Sequence, residues 1–284
     1  MTLAAAGVHI ESGECDALEC VICFDQLSYA RELPCACTAA YCTPCWDRSL
    51  AQSIQACGKV LCPTCRMPLQ VDFDADQGCL VFSAIQAKDG VEPTGRRYEN
   101  LVRYQDRLAV QARPLQIRLL RECGAALPAQ LRRPWNRGDS EPSDAAELSA
   151  RCAEEADAAP RCVCGMTIRR VSGRERAARF FRMHNPDIPR SSAECERFLE
   201  QADHLNLAYC DICNASLPPN TPVWTCQQEN RTILHANAFD ICDECFVKHA
   251  CEIGEGENEE SAPNLADGAA VTSGDPETTG PVTL

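Results

Sequence analysis

Apolar residues recur along this chain with two different periods, and the periods mark its elements. Trp46, Leu50 and Ile54 step by four, which predicts a helix beginning after Cys45 with one apolar stripe. Directly beyond it Leu69, Val71 and Phe73 alternate, and an apolar run follows from Cys79 to Phe82. That pattern predicts one or two short strands, or an extended wrap on the preceding segment. Over 96–121 the stripe Leu101, Tyr104, Leu108, Ala112, Leu115 and Leu119 steps by three or four, as one helical face does. Pro114 falls inside it and has no amide to donate, so a kink or two abutting helices are expected rather than one rod. Further on, Arg174 to Met183 reads as a helix ended near Asn185-Pro186, and Ser191 or Ser192 can cap a second one from about Ala193 to Leu205. Phe180, Phe181, Phe198 and Leu199 suffice to pack that pair together.

The remaining stretches lack a period. Residues 1–14 read as a flexible arm, and 126–160, with Pro128, Pro134, Pro142 and Pro160 among Ala, Ser and acids, as a linker. Residues 253–284 read as a disordered acidic tail: after Cys251 there are eight acids and no Lys or Arg.

Composition changes this picture in one respect. Aromatics make up only 6% of the 284 residues while cysteines number 22, so metal rather than apolar burial is expected to hold the ordered parts. The start MTLAAAGVHIESGE has neither a basic n-region nor a sustained apolar h-region, which argues against a secreted disulfide framework. No stretch approaches the ~18 apolar residues of a membrane span. A cytoplasmic or nuclear location follows as an expectation. The net charge of −14 disfavours a chain built as a whole to coat nucleic acid. Seven arginines (Arg96, Arg97, Arg103, Arg107, Arg113, Arg118, Arg121) nevertheless lie mostly off the long apolar stripe, as a solvated face or as an acidic-partner surface.

The cysteines carry the chemistry. Cys20/Cys23, Cys35/Cys37, Cys42/Cys45 and Cys62/Cys65 form four pairs separated by eleven, four and sixteen residues. Two intervening residues let one turn present both thiolates to one ion, and eight ligands imply two zincs. The uneven gaps, and the order C-x-C-x4-C-x2-C-W, resemble an all-cysteine RING finger such as that of the ubiquitin-ligase subunit of the large cytoplasmic deadenylase complex. The resemblance spans residues 15–71 and implies alternation: Cys20, Cys23, Cys42 and Cys45 on one zinc, Cys35, Cys37, Cys62 and Cys65 on the other. Cys57 stands outside the spacing as a free thiol.

Residues 208–252 form a second metal module. Cys210/Cys213 and Cys242/Cys245 can close one tetrahedral site, and the stretch FDICDECF with VWTC resembles a ZZ-type finger, which binds protein tails or termini. Where ZZ fingers carry another C-x2-C pair this chain has Cys226-Gln-Gln-Glu. Four residues with ligand chemistry then remain for a second zinc: Cys226, His235, His249 and Cys251, the last two in the place of the ZZ terminal pair. Between the modules, 72–125 is expected to be an extended segment and the kinked helix, and 161–207 a helical segment. There Cys162-x-Cys164-Gly resembles half a zinc site without an obvious other half; Cys152 and Cys195 are the candidates in principle.

The fold class expected is therefore small zinc-stabilised α+β modules, a cross-brace RING and a ZZ-like finger, joined by helical segments and flexible linkers. The RING resemblance implies a ubiquitin-protein ligase that docks a ubiquitin-charged conjugating enzyme and orients its thioester toward a substrate lysine, without a covalent intermediate of its own. Ile22 and Pro63 match the family's apolar contacts with the conjugating enzyme, and Ser49 occupies the helical contact position. Arg66, directly after the eighth ligand, matches the linchpin arginine that bonds conjugating enzyme and ubiquitin together. The C-terminal module would recruit the protein substrate, positioning it for the RING at the far end of the linker. Two other classes compete: a zinc scaffold without transfer activity, and an RNA-associated adaptor using the arginine-rich helices. A metalloenzyme is disfavoured, because four-thiolate sites leave no position for water.

Overall fold

A computed structural model of the chain describes residues 18–28, 32–85, 97–134, 142–155, 159–202, 208–235 and 238–253. The expected N-terminal arm and the tail beyond Ile253 lie outside these residues. Residues up to Ile253 belong to one compact unit.

The first helix, α1 (Thr43–Cys57), starts as soon as Pro44 can fix its φ in the first turn and stops at Gly58, whose left-handed φ of 71° lets its N–H return to Ile54 O. Its buried face is Trp46, Leu50, Ala51 and Ile54, the expected stripe. Next comes an antiparallel hairpin, β1 (Leu69–Asp74) and β2 (Cys79–Ala84), with Val71 opposite Phe82. Trp46 meets Phe82 edge-on at 5.8 Å, so the hairpin closes the α1 core as a true sheet rather than a loose wrap.

The long helix α2 (Arg97–Ala126) runs without a break through Pro114. Neither two helices nor an interruption of helical assignment results, so the proline's missing amide is absorbed within one element. This helix is the spine of the molecule. Arg107 donates to Val71 O (2.8 Å), and Gln111 accepts from Phe73 N and donates to Asp72, which fixes the hairpin. One turn on, Arg113 donates to Asp211 O and the fully buried Gln116 clamps residues 161–163, donating to Arg161 O (2.9 Å) and accepting from Val163 N (3.0 Å). Arg107 and Arg113 are thus engaged within the protein.

The expected linker contains structure. A 3-10 turn, Ala129–Leu131, precedes β3 (Arg133–Pro134), and α3 (Pro142–Glu154) follows. Ala145, Leu148, Ser149 and Cys152 are buried at helical spacing. Pro142 is the first helical residue, where no partner for its missing amide is needed, and Pro160 lies beyond the end. The prolines flank the helix instead of preventing it.

Residues 161–207 are likewise not a separate helical segment. Their first part is β4 (Ile168–Val171), which joins β5 (Val223–Cys226) and β6 (Asp240–Ile241) in a sheet of order β4-β5-β6, with Ile168 opposite Cys226. The helical pair then follows as α4 (Gly173–His184) and α5 (Ala193–Ala202), capped by the Ser172 and Ser192 hydroxyls. Phe181, Cys195 and Leu199 are buried in its own small core. A buried ion pair, Arg176 with Asp240, ties α4 to the sheet through both carboxylate oxygens at 2.9 Å. The chain closes with a single turn, α6 (Asp243–Phe246), a π-helical turn over Val247–Cys251, and β7 (Glu252–Ile253) in parallel pairing with β3.

Among the described residues the two cysteine-rich halves meet directly. Ile233 is completely buried in the same core as Trp46, Leu50 and Val71, and Asp47 Oδ1 accepts from its backbone N–H at 2.7 Å. Gln55 and Asn230 exchange two further hydrogen bonds across the same seam. Among the described residues no helix is long and apolar enough to cross a membrane.

The approach of α2 to the π turn gives the fold a test. A Cβ on Gly124 would lie 1.9 Å from Ala250 O, a backbone atom. On helix propensity alone Gly124→Ala stabilises by about 1 kcal/mol. The clash reverses the sign, and we expect a net loss of about 1–3 kcal/mol in chemical denaturation of the zinc-loaded protein.

Candidate metal centres

Four places in the chain fold into the same small turn. In each, the residue after the second cysteine takes a left-handed φ and its N–H returns to the carbonyl of the first cysteine. Phe24 bonds Cys20 O (2.8 Å), Arg66 bonds Cys62 O (2.9 Å), Gly165 bonds Cys162 O (2.7 Å) and Asn214 bonds Cys210 O (2.7 Å). One residue pair on either side of each turn closes an antiparallel bridge: Glu19/Gln26, Leu61/Pro68, Arg161/Thr167 and Tyr209/Ser216. The turn directs the thiols of one arm to a common point, which is the geometric sense of the C-x2-C spacing. The Cys162 turn is one residue shorter and uses Gly165, at φ 86°, where any side chain would be strained.

Two other pairs sit on helix starts. Cys42 and Cys242 are the N-cap residues of α1 and α6, with Cys45 and Cys245 in the first turns, and Cys245 N donates to the Cys242 sulfur at 3.3 Å.

These arms meet in four clusters, and in each the ligand atoms lie within 4.8 Å of one another: Cys20/Cys23/Cys42/Cys45, Cys35/Cys37/Cys62/Cys65, Cys210/Cys213/Cys242/Cys245 and Cys162/Cys164/Cys226/His235. Sulfurs on a tetrahedron around zinc, with Zn–S of ~2.3 Å, are about 3.8 Å apart. Cys23–Cys42 and Cys213–Cys242 are 3.8 Å apart, Cys35–Cys62 is 3.6 Å and Cys164–Cys226 is 3.5 Å. A disulfide would need about 2.05 Å. Crowded thiols resist joint ionisation: hydrogen bonding to Cys242 and Cys245 lowers Cys210, while the same contact with Cys210 pushes Cys245 far up. A divalent cation removes that conflict. The donor sets fit zinc, and all-sulfur or sulfur–imidazole coordination makes the sites structural.

The eight N-terminal cysteines come together in the alternation that the resemblance implied. Cys210, Cys213, Cys242 and Cys245 also meet as expected. The ligand set built from Cys226, His235, His249 and Cys251 requires correction. Cys226 and His235 belong with Cys162 and Cys164, because β4 lies against β5 and brings the Cys162 turn alongside Cys226. His249 and Cys251 are carried away by the π turn; the Cys251 sulfur instead lies 3.4 Å from that of Cys152 on α3. Cys195 is buried between α4 and α5.

His235 supplies an independent sign of a metal. It is only 4% exposed, its Nδ1 donates to Glu229 O at 3.0 Å, and its Nε2 is buried without a hydrogen-bond partner. The Nδ1 bond fixes the tautomer that leaves an Nε2 lone pair for an ion. A buried nitrogen without a partner is otherwise costly.

Sequence-ordered, the C-terminal pairs are Cys162/Cys164, Cys210/Cys213, Cys226/His235 and Cys242/Cys245, and they alternate between two clusters as the N-terminal pairs do. The half-site at Cys162 is legible in the sequence; its complement is not, since eight residues separate Cys226 from His235. No protein-family model, curated protein or solved structure matches the chain.

The clusters predict metal content directly. Mass spectrometry of the intact reduced protein should find four zincs per chain. Cys226→Ser should remove one, and His249→Ala should remove none; a loss on His249→Ala would restore the discarded ligand set.

Proposed function

We propose that this protein is a RING-type ubiquitin-protein ligase whose N-terminal module docks a ubiquitin-charged conjugating enzyme. The observation that carries this reading is a contrast between two turns of the same design. At the first, Val21 (48%), Ile22 (42%) and Phe24 (73%) are exposed, an apolar cluster that folding leaves to solvent. At the C-terminal counterpart Ile212 is packed into the main core, and its neighbour Asp211 is held by Arg113 of α2. The first turn thus exposes an apolar cluster of three residues, whereas its C-terminal counterpart exposes Tyr209 (52%).

Pro63 and Ser49 are half-buried and border solvent, and Arg66 is exposed. Arg66 takes a left-handed φ of 63° because its N–H closes the turn on Cys62 O. Its backbone is therefore anchored by the knuckle while its guanidinium stays outside the metal shell. An anchored stem with a free planar fork suits a transient bond to two proteins at once. Transfer in this reading is orientation of a mobile thioester, with zinc acting only through the fold. In this reading the C-terminal module carries the substrate within the same compact unit as the N-terminal one.

The test is autoubiquitination against a panel of conjugating enzymes. Arg66→Ala should lower transfer by roughly ten- to 150-fold, the equivalent of one or two charge-assisted hydrogen bonds, with four zincs retained. Ile22→Ala should weaken docking of the conjugating enzyme without changing the metal content. A wild type inert with every conjugating enzyme would leave the exposed cluster to a non-catalytic partner.

A further inference from the structure

The fourth cluster lies where the two halves of the molecule join, and its residues come from three separated places. Cys162 and Cys164 are held to α2 by Gln116, Cys226 ends β5, and His235 stands at the end of a short 3-10 turn, Ile233–His235. The loop between Cys226 and His235 is the one that crosses to the N-terminal half. It presents Asn230 to Gln55, and Ile233 to Asp47 and to the core around Trp46.

Beyond the cluster the loop is held by Gln227 N donating to Thr167 O (3.1 Å), Arg231 N to Gln228 O (3.1 Å) and Leu234 N to Thr232 Oγ1 (3.2 Å). Within it, Glu229 adopts φ 53°, a left-handed conformation that costs a non-glycine residue about 1–2 kcal/mol. Its internal bonds include Glu229 N to Cys226 O at a long 3.4 Å and His235 Nδ1 to Glu229 O. Both bonds involve a residue of the metal cluster. At the first end Cys226 is held by the sheet, opposite Ile168 and with its N–H donating to Phe239 O (2.9 Å); at the second, His235 brings a buried Nε2 without a hydrogen-bond partner into the cluster, where a metal would fix it.

We infer that the Cys162/Cys164/Cys226/His235 site binds zinc as a latch, holding the loop in the shape that docks the C-terminal half onto α1. The inference rests on the zinc reading of the clusters and is independent of ubiquitin transfer. Coupling of this kind is reciprocal: whatever zinc at this site adds to docking, docking adds to the zinc affinity of this site.

Reciprocity supplies a test in the full-length, zinc-loaded protein. Three variants are compared by intact-protein mass spectrometry, hydrogen exchange of α1 and the 227–235 loop, and zinc release to a chelator of known affinity. His235→Ala should hold three zincs and lose protection in both the loop and α1. His235→Cys should restore four zincs and the protection. Asp47→Ala removes no ligand; it should still hold four zincs at saturation but release one of them at roughly 5- to 150-fold lower chelator strength, the range of ordinary coupling.

Retention of four zincs by His235→Ala would overturn the site. Loss of one zinc with α1 protection unchanged would overturn the latch while sparing the site, as would unchanged zinc release in Asp47→Ala. Should His235→Ala lose its fold and more than one zinc, the Asp47→Ala arm decides alone. A wild-type protein that takes up no zinc would remove the reading of all four clusters, and the latch with it.

Discussion

Thiolates can crowd to one point in space only around a cation, and the described residues bring such a group together four times, three times as four cysteines and once as three cysteines with His235. Cys162, Cys210, Cys226 and Cys245 are buried among the main apolar cluster, and Cys20 and Cys62 are among the most buried residues of the N-terminal half. Left as free thiols they would be unmatched polar groups at the centre of small cores. Bound to zinc they become the rigid points from which short strands and single-turn helices hang. A chain so poor in aromatic residues has few other ways to hold a sheet as short as β5 and β6.

The metal sites alone would give separate beads. What unites them is α2, whose polar side chains reach different neighbours in succession: Gln111 the hairpin, Arg113 the third cluster's turn, Gln116 the fourth's. Each of these bonds satisfies a backbone atom, in strand β1 for Gln111 and in or beside a cysteine turn for Arg113 and Gln116. The arginines that suggested a nucleic-acid surface are partly spent on this internal work. The same helix explains why two cross-linked modules of like topology differ at their surfaces, since it covers the apolar side of one and leaves the other bare.

Elements defined by local period were legible in the sequence, and elements defined by remote partners were not. Trp46, Leu50 and Ile54 gave α1, the Leu69/Val71/Phe73 alternation gave the hairpin, and the eight N-terminal cysteines stood out because each pair is contiguous. The helix α3 was obscured by four prolines, although Ala145, Leu148, Ser149 and Cys152 form a helical stripe once the prolines are seen as flanking it. β4 has only four residues and acquires its identity from β5, more than fifty positions away. His235 and Cys226 are legible as ligands of one site, but their other two companions are Cys162 and Cys164 rather than His249 and Cys251, because sheet pairing and not nearness in sequence decides. Ile233 gave no sign of belonging to the core of the other module; the apolar pair Ile233-Leu234 in a polar loop has no period to tell that the two residues enter different cores.

The alternation of the C-terminal pairs has a consequence for synthesis. The N-terminal ligands are complete by Cys65 and can be metallated while the remainder of the chain is being made. Cys164 precedes its true partner Cys226 by 62 residues, about 3–12 s of translation. During that interval Cys210 and Cys213 appear, and with Cys162 and Cys164 they offer an emerging zinc ion four thiols of the wrong topology. Only when β5 forms and Cys242 and Cys245 follow can the ions be sorted into their final places. With zinc as the ion, one held too tightly at the first four thiols it met would trap the C-terminal half misassembled, so slow exchange would lower the yield of correctly sorted protein.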